Sequence, residues 1–298
     1  MTDKIDLYAR VTNKILADLE SGHIPWHKPW QAGHSAGKIS TPLRHNLQPY
    51  SGVNVLMLWA EAASMGYVAP IWLTYKQASE LGGQVRKGEH GSMVVYANTA
   101  IKKEKNDLGE DVTRSFHFLK SYTVFNVEQI DGLPAHYYVQ DVEPLPIESR
   151  LAHVDEFIGN TKAVIKSGTE AFYRPSDDSI TMPDIKFFES PESYYAVLLH
   201  ELTHWTKAET RLDRTFNAKR FGDSGYAQEE LVAEIGSAFL CAALDITPEA
   251  RQDHAAYIES WIKVLKNDKR AIFTAASHAQ KAADFLQTMQ QNQQTIAA

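Results

Sequence analysis

Apolar side chains recur at three- and four-residue spacing over residues 4–20, where Ile5, Tyr8, Val11, Thr12, Ile15, Leu16 and Leu19 fall on one face and Ser21-Gly22 closes the run. The pattern predicts an amphipathic helix. Pro25-Trp26-His27-Lys28-Pro29-Trp30 follows, and its two proline-braced tryptophans read as core in preference to a stacking surface. A Gly/Ser/His loop with His34 and Lys38 leads to about Ser40. Val55, Leu56, Leu58, Trp59 and Ala62 predict a second helix from Ser51 to Gly66, and Thr74 caps a short third one that Gly82-Gly83 stops. Met93 to Ile101, rich in Val and Tyr, and Ser115 to Val127, alternating aromatic and polar, predict paired strands on either side of a charged tip.

Periodicity lapses between Val139 and Ile147, where Pro144 and Pro146 stand, so the boundary is expected there: an N-terminal domain over 1–140, a linker over 141–148 and a second domain over 149–298. Leu151, Val154, Phe157, Ile158, Thr161, Val164 and Ile165 predict one helix ended by Gly168. Ala171-Phe172-Tyr173 and Ser179-Ile180-Thr181-Met182 flank Pro175-Ser176-Asp177-Asp178 as a β-hairpin. Ser190 and Pro191 then mark a helix start. Further helices are expected around Glu229 to Cys241, from Pro248 to about Leu265, and from Lys269 to about Met289. The class is α+β: a small N-terminal α+β domain, then a mostly helical domain with a hairpin or small sheet.

The helix from Ser190 runs into His200-Glu201-Leu202-Thr203-His204. Residues four apart share a helix face, so both imidazoles can reach one metal ion while Glu201 stands beside them to polarise a bound water. The plainer reading is two exposed histidines on an amphipathic helix. A hydrolytic zinc takes a third protein ligand and keeps a position open for water, whereas a multi-Cys structural site is excluded by the single cysteine, Cys241. The third ligand is expected in Glu229-Glu230-Leu231-Val232-Ala233-Glu234: Glu230 as ligand, Glu234 as acceptor for a histidine N–H. Glu229 is the rival, since its face continues as Ala233 and Gly236, small residues that permit close helix packing. Two His and one Glu suit Zn2+, with Mn2+, Co2+ or Ni2+ also compatible.

Charge separates the halves. Residues 1–140 carry 14 Lys and Arg against 13 Asp and Glu, and residues 141–298 carry 16 against 24. Only the first half can turn a basic face to an anion. Aromatics there interleave with cations, and Lys38, Arg44, Tyr50, Trp72, Lys76, Arg86 and Lys87 are candidate contacts to single-stranded nucleic acid; a half-buried sheet with solvated lysines is the plainer alternative. One cysteine, no apolar run of membrane-spanning length and an acidic start without a leader pattern predict a cytoplasmic protein with no membrane partner. Lys207 to Gly225, with Arg211 and Arg214, reads as a lid or a solvated loop. No phosphate-binding loop and no Ser or Cys nucleophile signature is present.

Tyr50-Ser51-Gly52-Val53-Asn54, Trp72-Leu73-Thr74-Tyr75-Lys76-Gln77-Ala78 and Gly82-Gly83-Gln84-Val85-Arg86-Lys87-Gly88-Glu89 resemble the amino-terminal domain of ArdC-type antirestriction proteins. His200 to Trp205 and Tyr226 to Glu234 are similar to their zincin-like metallopeptidase domain. The resemblance implies a plasmid-encoded protein that binds single-stranded DNA and protects incoming conjugative DNA from host restriction; one reading adds a zinc site that cleaves or grips a host restriction-modification protein or other protein. Two alternatives remain open: a pure DNA-binding module with a structural or vestigial metal site, and a zinc peptidase with no DNA role.

Overall fold

The computed structural model describes residues 6–27, 40–105, 111–138, 146–216, 224–247 and 254–291. Helix α1 (Leu7–Glu20) starts at Asp6, whose carboxylate accepts from the amides of Tyr8 and Ala9, and it buries Val11, Ile15, Leu16 and Leu19. After a two-residue strand β1 (Leu43–Arg44), helix α2 (Val53–Met65) ends on left-handed Gly66. Strand β2 (Ile71–Leu73) leads into α3 (Tyr75–Glu80), where Thr74 and Gln77 form the reciprocal capping box. Beyond β3 (Gln84–Val85), the long strands β4 (Ser92–Lys105) and β5 (Asp111–Asn126) pair in register from Ser92 opposite Val124 to Lys105 opposite Asp111. They complete a four-stranded sheet in the order β1-β2-β5-β4, in which β1 and β2 are parallel. Strand β6 (Ile130–Asp131) pairs with β3 as a separate ribbon. The Asn54 amide of α2 both donates to the Val95 carbonyl and accepts from its N–H, at 2.9 and 2.8 Å, and so seats α2 on β4.

The second half opens with α4 (Ile147–Thr161), shorter than its apolar spacing suggested. Lys162 takes a left-handed conformation and ends it, and Val164 and Ile165, expected in the helix, belong instead to strand β7 (Val164–Ser167). That strand lies parallel to β9 (Ser179–Met182), which pairs with β8 (Phe172–Arg174) as the expected hairpin, so the sheet order is β7-β9-β8. Four helices follow: α5 (Pro191–Trp205), α6 (Ser224–Ala243), α7 (His254–Asn267) and α8 (Ala271–Gln291). The α+β expectation holds. The parts of the linker and of the lid stretch at 141–145 and 217–223, and the hairpin tip at 106–110, fall outside the described residues.

A continuous buried cluster joins both halves, with Val11, Ile15, Leu56, Trp59, Leu199, Ile235, Trp261 and Leu286 among its members. Trp26 is core, edge-on to Trp261 at 5.8 Å, as the proline-braced pattern implied; Trp30 lies outside the described residues. Trp59 meets Phe239 of α6 at 5.7 Å, Tyr8 meets Phe273 of α8 at 4.8 Å, and Thr12 donates to the Lys269 carbonyl. A smaller cluster holds Ile71, Leu73, Val85, Ile130 and Leu133 around the β3-β6 ribbon. No helix among the described residues is long and apolar enough to cross a membrane.

Candidate metal centre

Ser190 caps α5 by accepting the Ser193 amide, with Pro191 in the first turn. From Leu198 to Trp205 every residue of this helix is buried, and the facing turns of α6 are buried from Glu229 to Cys241. A Cβ added to Gly236 would lie 2.5 Å from the Thr203 Cγ2, so the two backbones approach as the small residues Ala233 and Gly236 allow. Ser237 ties the helices by donating to the Ala196 carbonyl at 2.8 Å.

This contact brings together His200, His204 and Glu230, each offering one ligand atom within 4.8 Å of the others. The Glu230 oxygens lie 3.6 Å from His200 Nε2 and 3.4 Å from His204 Nε2. Two ligands of a tetrahedral ion with bonds of about 2.0–2.2 Å sit roughly 3.3–3.6 Å apart, so both separations fit one. Two imidazoles and one carboxylate also form the donor set of an open, hydrolytic site rather than a closed structural one. Burial by itself would push the Glu230 carboxyl up, but hydrogen bonds and attraction from the two imidazoles hold it well below the usual carboxylate range.

Around this cup stands a ring of orienting groups. Glu234 Oε1 lies 3.3 Å from His200 Nδ1, within ion-pair distance. Glu229, the rival ligand, instead faces His204 Nδ1 at 2.9 Å and is gripped by Arg214 through two 2.9 Å bonds. Burial opposes its charge; Arg214 and then His204 overcome that and bring the carboxyl down to about 2. Burial likewise opposes charge on His204, yet Glu229 and Glu230 together raise its pKa above the ordinary value. Glu201 accepts the Tyr173 N–H of β8 through Oε2 at 2.8 Å, and its Oε1 makes no hydrogen bond among the described residues.

Arg214 is the residue that sequence reading missed. Neither lid nor solvated loop describes it: the side chain is 1% exposed and also donates to Thr206 Oγ1 and the Thr203 carbonyl. Arg211 is equally fixed, stacked 3.8 Å over the Trp205 ring and bound to Asp178 in the turn of the β8-β9 hairpin. Only the burial of Arg214 and the half-burial of Arg211 distinguish this segment, and composition cannot show that. Cys241 is buried, and burial pushes its thiol up to about 12, which removes it as a nucleophile at neutral pH.

The candidate nucleic-acid contacts divide between buried rings and exposed cations, with Arg44 paired opposite Trp72 and set over Tyr50. Trp72 is 1% exposed and packs in the core edge-on to Tyr67, so it has no face for a base. Tyr50 is also buried, with the exposed Arg44 guanidinium 5.3 Å over its ring. Lys76 is exposed and pairs with Glu80 one turn on; Arg86 is clipped to Glu89, Asp131 and the Glu128 carbonyl; Lys87 is exposed; Lys38 lies outside the described residues. Two aromatics not singled out from the sequence are half exposed on the β4-β5 hairpin: Tyr96 and Tyr122, edge to face at 6.4 Å, beside Lys120. Their period-two alternation was the available signal.

The fold is that of a zincin-like metallopeptidase domain, the family that residues 152–278 match. Residues 5–125 match the N-terminal domain of anti-restriction factor ArdC. Across 97% of this chain and 99% of the other, the metal-free crystal structure of antirestriction protein ArdC from plasmid R388 superposes with a TM-score of 0.80 at 46% identity. The Mn(II)-bound structure of the R388 protein gives 0.75 at 44% identity over 96% and 98% of the two chains. The chain therefore belongs to the ArdC antirestriction family. It is also 42% identical to the uncharacterized protein y4eC of Sinorhizobium fredii, over 97% of this chain and 94% of that one. A DNA primase TraC of Escherichia coli is 38% identical over 97% of this chain, which spans 28% of the primase.

Proposed function

We propose that this protein protects incoming DNA from restriction by pairing a single-stranded-DNA-binding N-terminal half with a metal-dependent peptidase site. The observation that carries the reading is the convergence of His200, His204 and Glu230 beside Glu201 in a chain of this family. His200, His204 and Glu230 would hold a divalent ion, zinc or one of manganese, cobalt and nickel; the Mn(II)-bound R388 relative supports a divalent ion. Such an ion supplies a polarised carbonyl and a water of lowered pKa. Glu201 would accept a proton on its unbonded oxygen and hand it to a leaving amine, while the Tyr173 N–H fixes the carboxylate's other oxygen. Glu229 and Glu234 keep the imidazole Nδ1 atoms protonated so that each Nε2 lone pair turns to the cup. Tyr96, Tyr122 and Lys120 form a stacking edge with a cation beside it, the chemistry that holds unpaired bases.

Glu201→Gln separates the readings. The variant keeps every proposed ligand, so it should retain metal and DNA binding yet lose hydrolysis by at least about a hundredfold. Loss of protection against a restriction enzyme in expressing cells, with DNA binding intact, makes the metal chemistry the effector. Unchanged protection would sink that assignment in favour of DNA occupancy. Absence of salt-sensitive binding to single strands would favour a peptidase without a DNA role.

A further inference from the structure

The shell around the candidate ligands draws on the other half of the chain. His27, within the segment that matches the N-terminal domain of ArdC, points its Nε2 at Glu234 Oε2 of α6, 3.4 Å away. A carboxylate accepts and cannot donate, so this nitrogen carries the hydrogen. The other oxygen of Glu234 faces His200 Nδ1 at 3.3 Å. One carboxylate thus lies between two imidazoles, one from each matched segment.

The placement of His27 is built in. It follows Trp26, a fully buried side chain set against Trp261 of α7, and its own N–H closes a turn onto the Ile24 carbonyl at 3.0 Å. The backbone that carries the ring is therefore held by a core anchor and a hydrogen bond. Glu234, by contrast, has three side-chain torsions; a partner on each oxygen restricts them where a partner on one would not. We propose that His27 is a positioning residue of the metal centre: it holds Glu234 in the orientation that directs the His200 Nε2 lone pair into the cup. The proposal rests on the reading of His200, His204 and Glu230 as ligands. By it, an N-terminal residue that touches no ion sets how tightly the C-terminal site binds one.

The test is Mn(II) affinity of the full chain, from the electron paramagnetic resonance signal of the free ion during titration. Wild type is compared with His27→Ala, His27→Gln, Glu234→Ala, the double variant His27→Ala/Glu234→Ala, and His204→Ala as control. His27→Ala should bind roughly tenfold more weakly, the lower end of the range for partners that touch a ligand directly. His27→Gln, whose amide can still donate, should recover most of that loss. Because His27 acts through Glu234, the double variant should bind no more weakly than Glu234→Ala alone. Wild-type affinity in His27→Ala, no recovery in His27→Gln, or losses that multiply in the double variant would each overturn the proposal. A purely structural histidine would lower the melting temperature of the metal-free protein and leave affinity unchanged, which also overturns it. Undiminished binding by His204→Ala would instead show that the ligand reading beneath it has failed.

Discussion

Replacing Arg214 by alanine would leave Glu229 buried without its strongest cation. The arginine donates Nε to one carboxylate oxygen and Nη2 to the other, both at 2.9 Å, and is itself 1% exposed, so no water takes its place readily. Breaking a buried pair by removing one partner costs about 3–5 kcal/mol, because the remaining charge is stranded. A second route gives a similar size. The Glu229 carboxyl falls from 4.5 to about 2 in the folded protein, and at about 1.4 kcal/mol per tenfold that is about 3 kcal/mol, with Arg214 the first favourable cause. The folded value lies below the unfolded one, so this stability is complete above pH 4.5 and disappears as pH falls toward 2. Arg214→Ala should therefore be about 3 kcal/mol less stable than wild type at pH 7, and the gap should narrow in acid as Glu229 takes a proton. Urea unfolding of chelator-treated protein at pH 7, 4 and 3, with midpoints compared at unchanged slope, measures it. A loss below about 1 kcal/mol at pH 7, or a gap as large at pH 3 as at pH 7, would refute the reasoning.

Gly236→Ala drives a methyl to 2.5 Å from Thr203 Cγ2, whose hydroxyl is already committed to the Leu199 carbonyl. It should cost about 1–3 kcal/mol in unfolding free energy and weaken metal binding by spreading α5 from α6; a melting curve and Mn(II) titration matching wild type would disprove the close approach. Tyr96→Ala combined with Tyr122→Ala should reduce affinity for a single-stranded oligonucleotide by about 1–3 kcal/mol for each base that stacks, at constant salt, while leaving the melting temperature nearly unchanged. Equal affinity in fluorescence anisotropy would remove the hairpin from the DNA surface.

The clustering of His200, His204 and Glu230 was legible because it depends on helix periodicity within two segments, and Pro191, Ser190 and Gly236 announce how those segments begin and pack. The grip of Arg214 on Glu229 was not: it joins side chains 15 positions apart that share no periodicity, and an arginine in a polar stretch looks the same whether buried or solvated. Val164 and Ile165 continue the helical spacing of α4, so local pattern placed them in it; what decides is the left-handed turn at Lys162 and a parallel partner, β9, that lies later in the chain. Trp72 failed as a stacking candidate for a related reason. An aromatic in a three-residue strand has no period to tell which way it faces, and all three residues of β2 are buried. Strands as short as β1, β3 and β6 carry no pattern at all.

The cluster that joins α1 to α8 bears on how this chain is made. Helix α1 leaves the ribosome long before α8, yet Thr12 finds its acceptor at Lys269 and Tyr8 its aromatic neighbour at Phe273, some 257 residues further along in the first case. Until α7 and α8 have been synthesised, the apolar stripe of α1 is covered only in part, by α2 and β5. At roughly 5–20 residues per second, that interval lasts on the order of ten seconds or more. During it part of the α1 stripe stays open to solvent, and assembly of the shared core waits on sequence-distant contacts, which form slowly. A stalled or truncated product that stops short of α8 would leave the apolar faces of α4 and α6 uncovered, making incomplete copies targets for degradation rather than stable fragments.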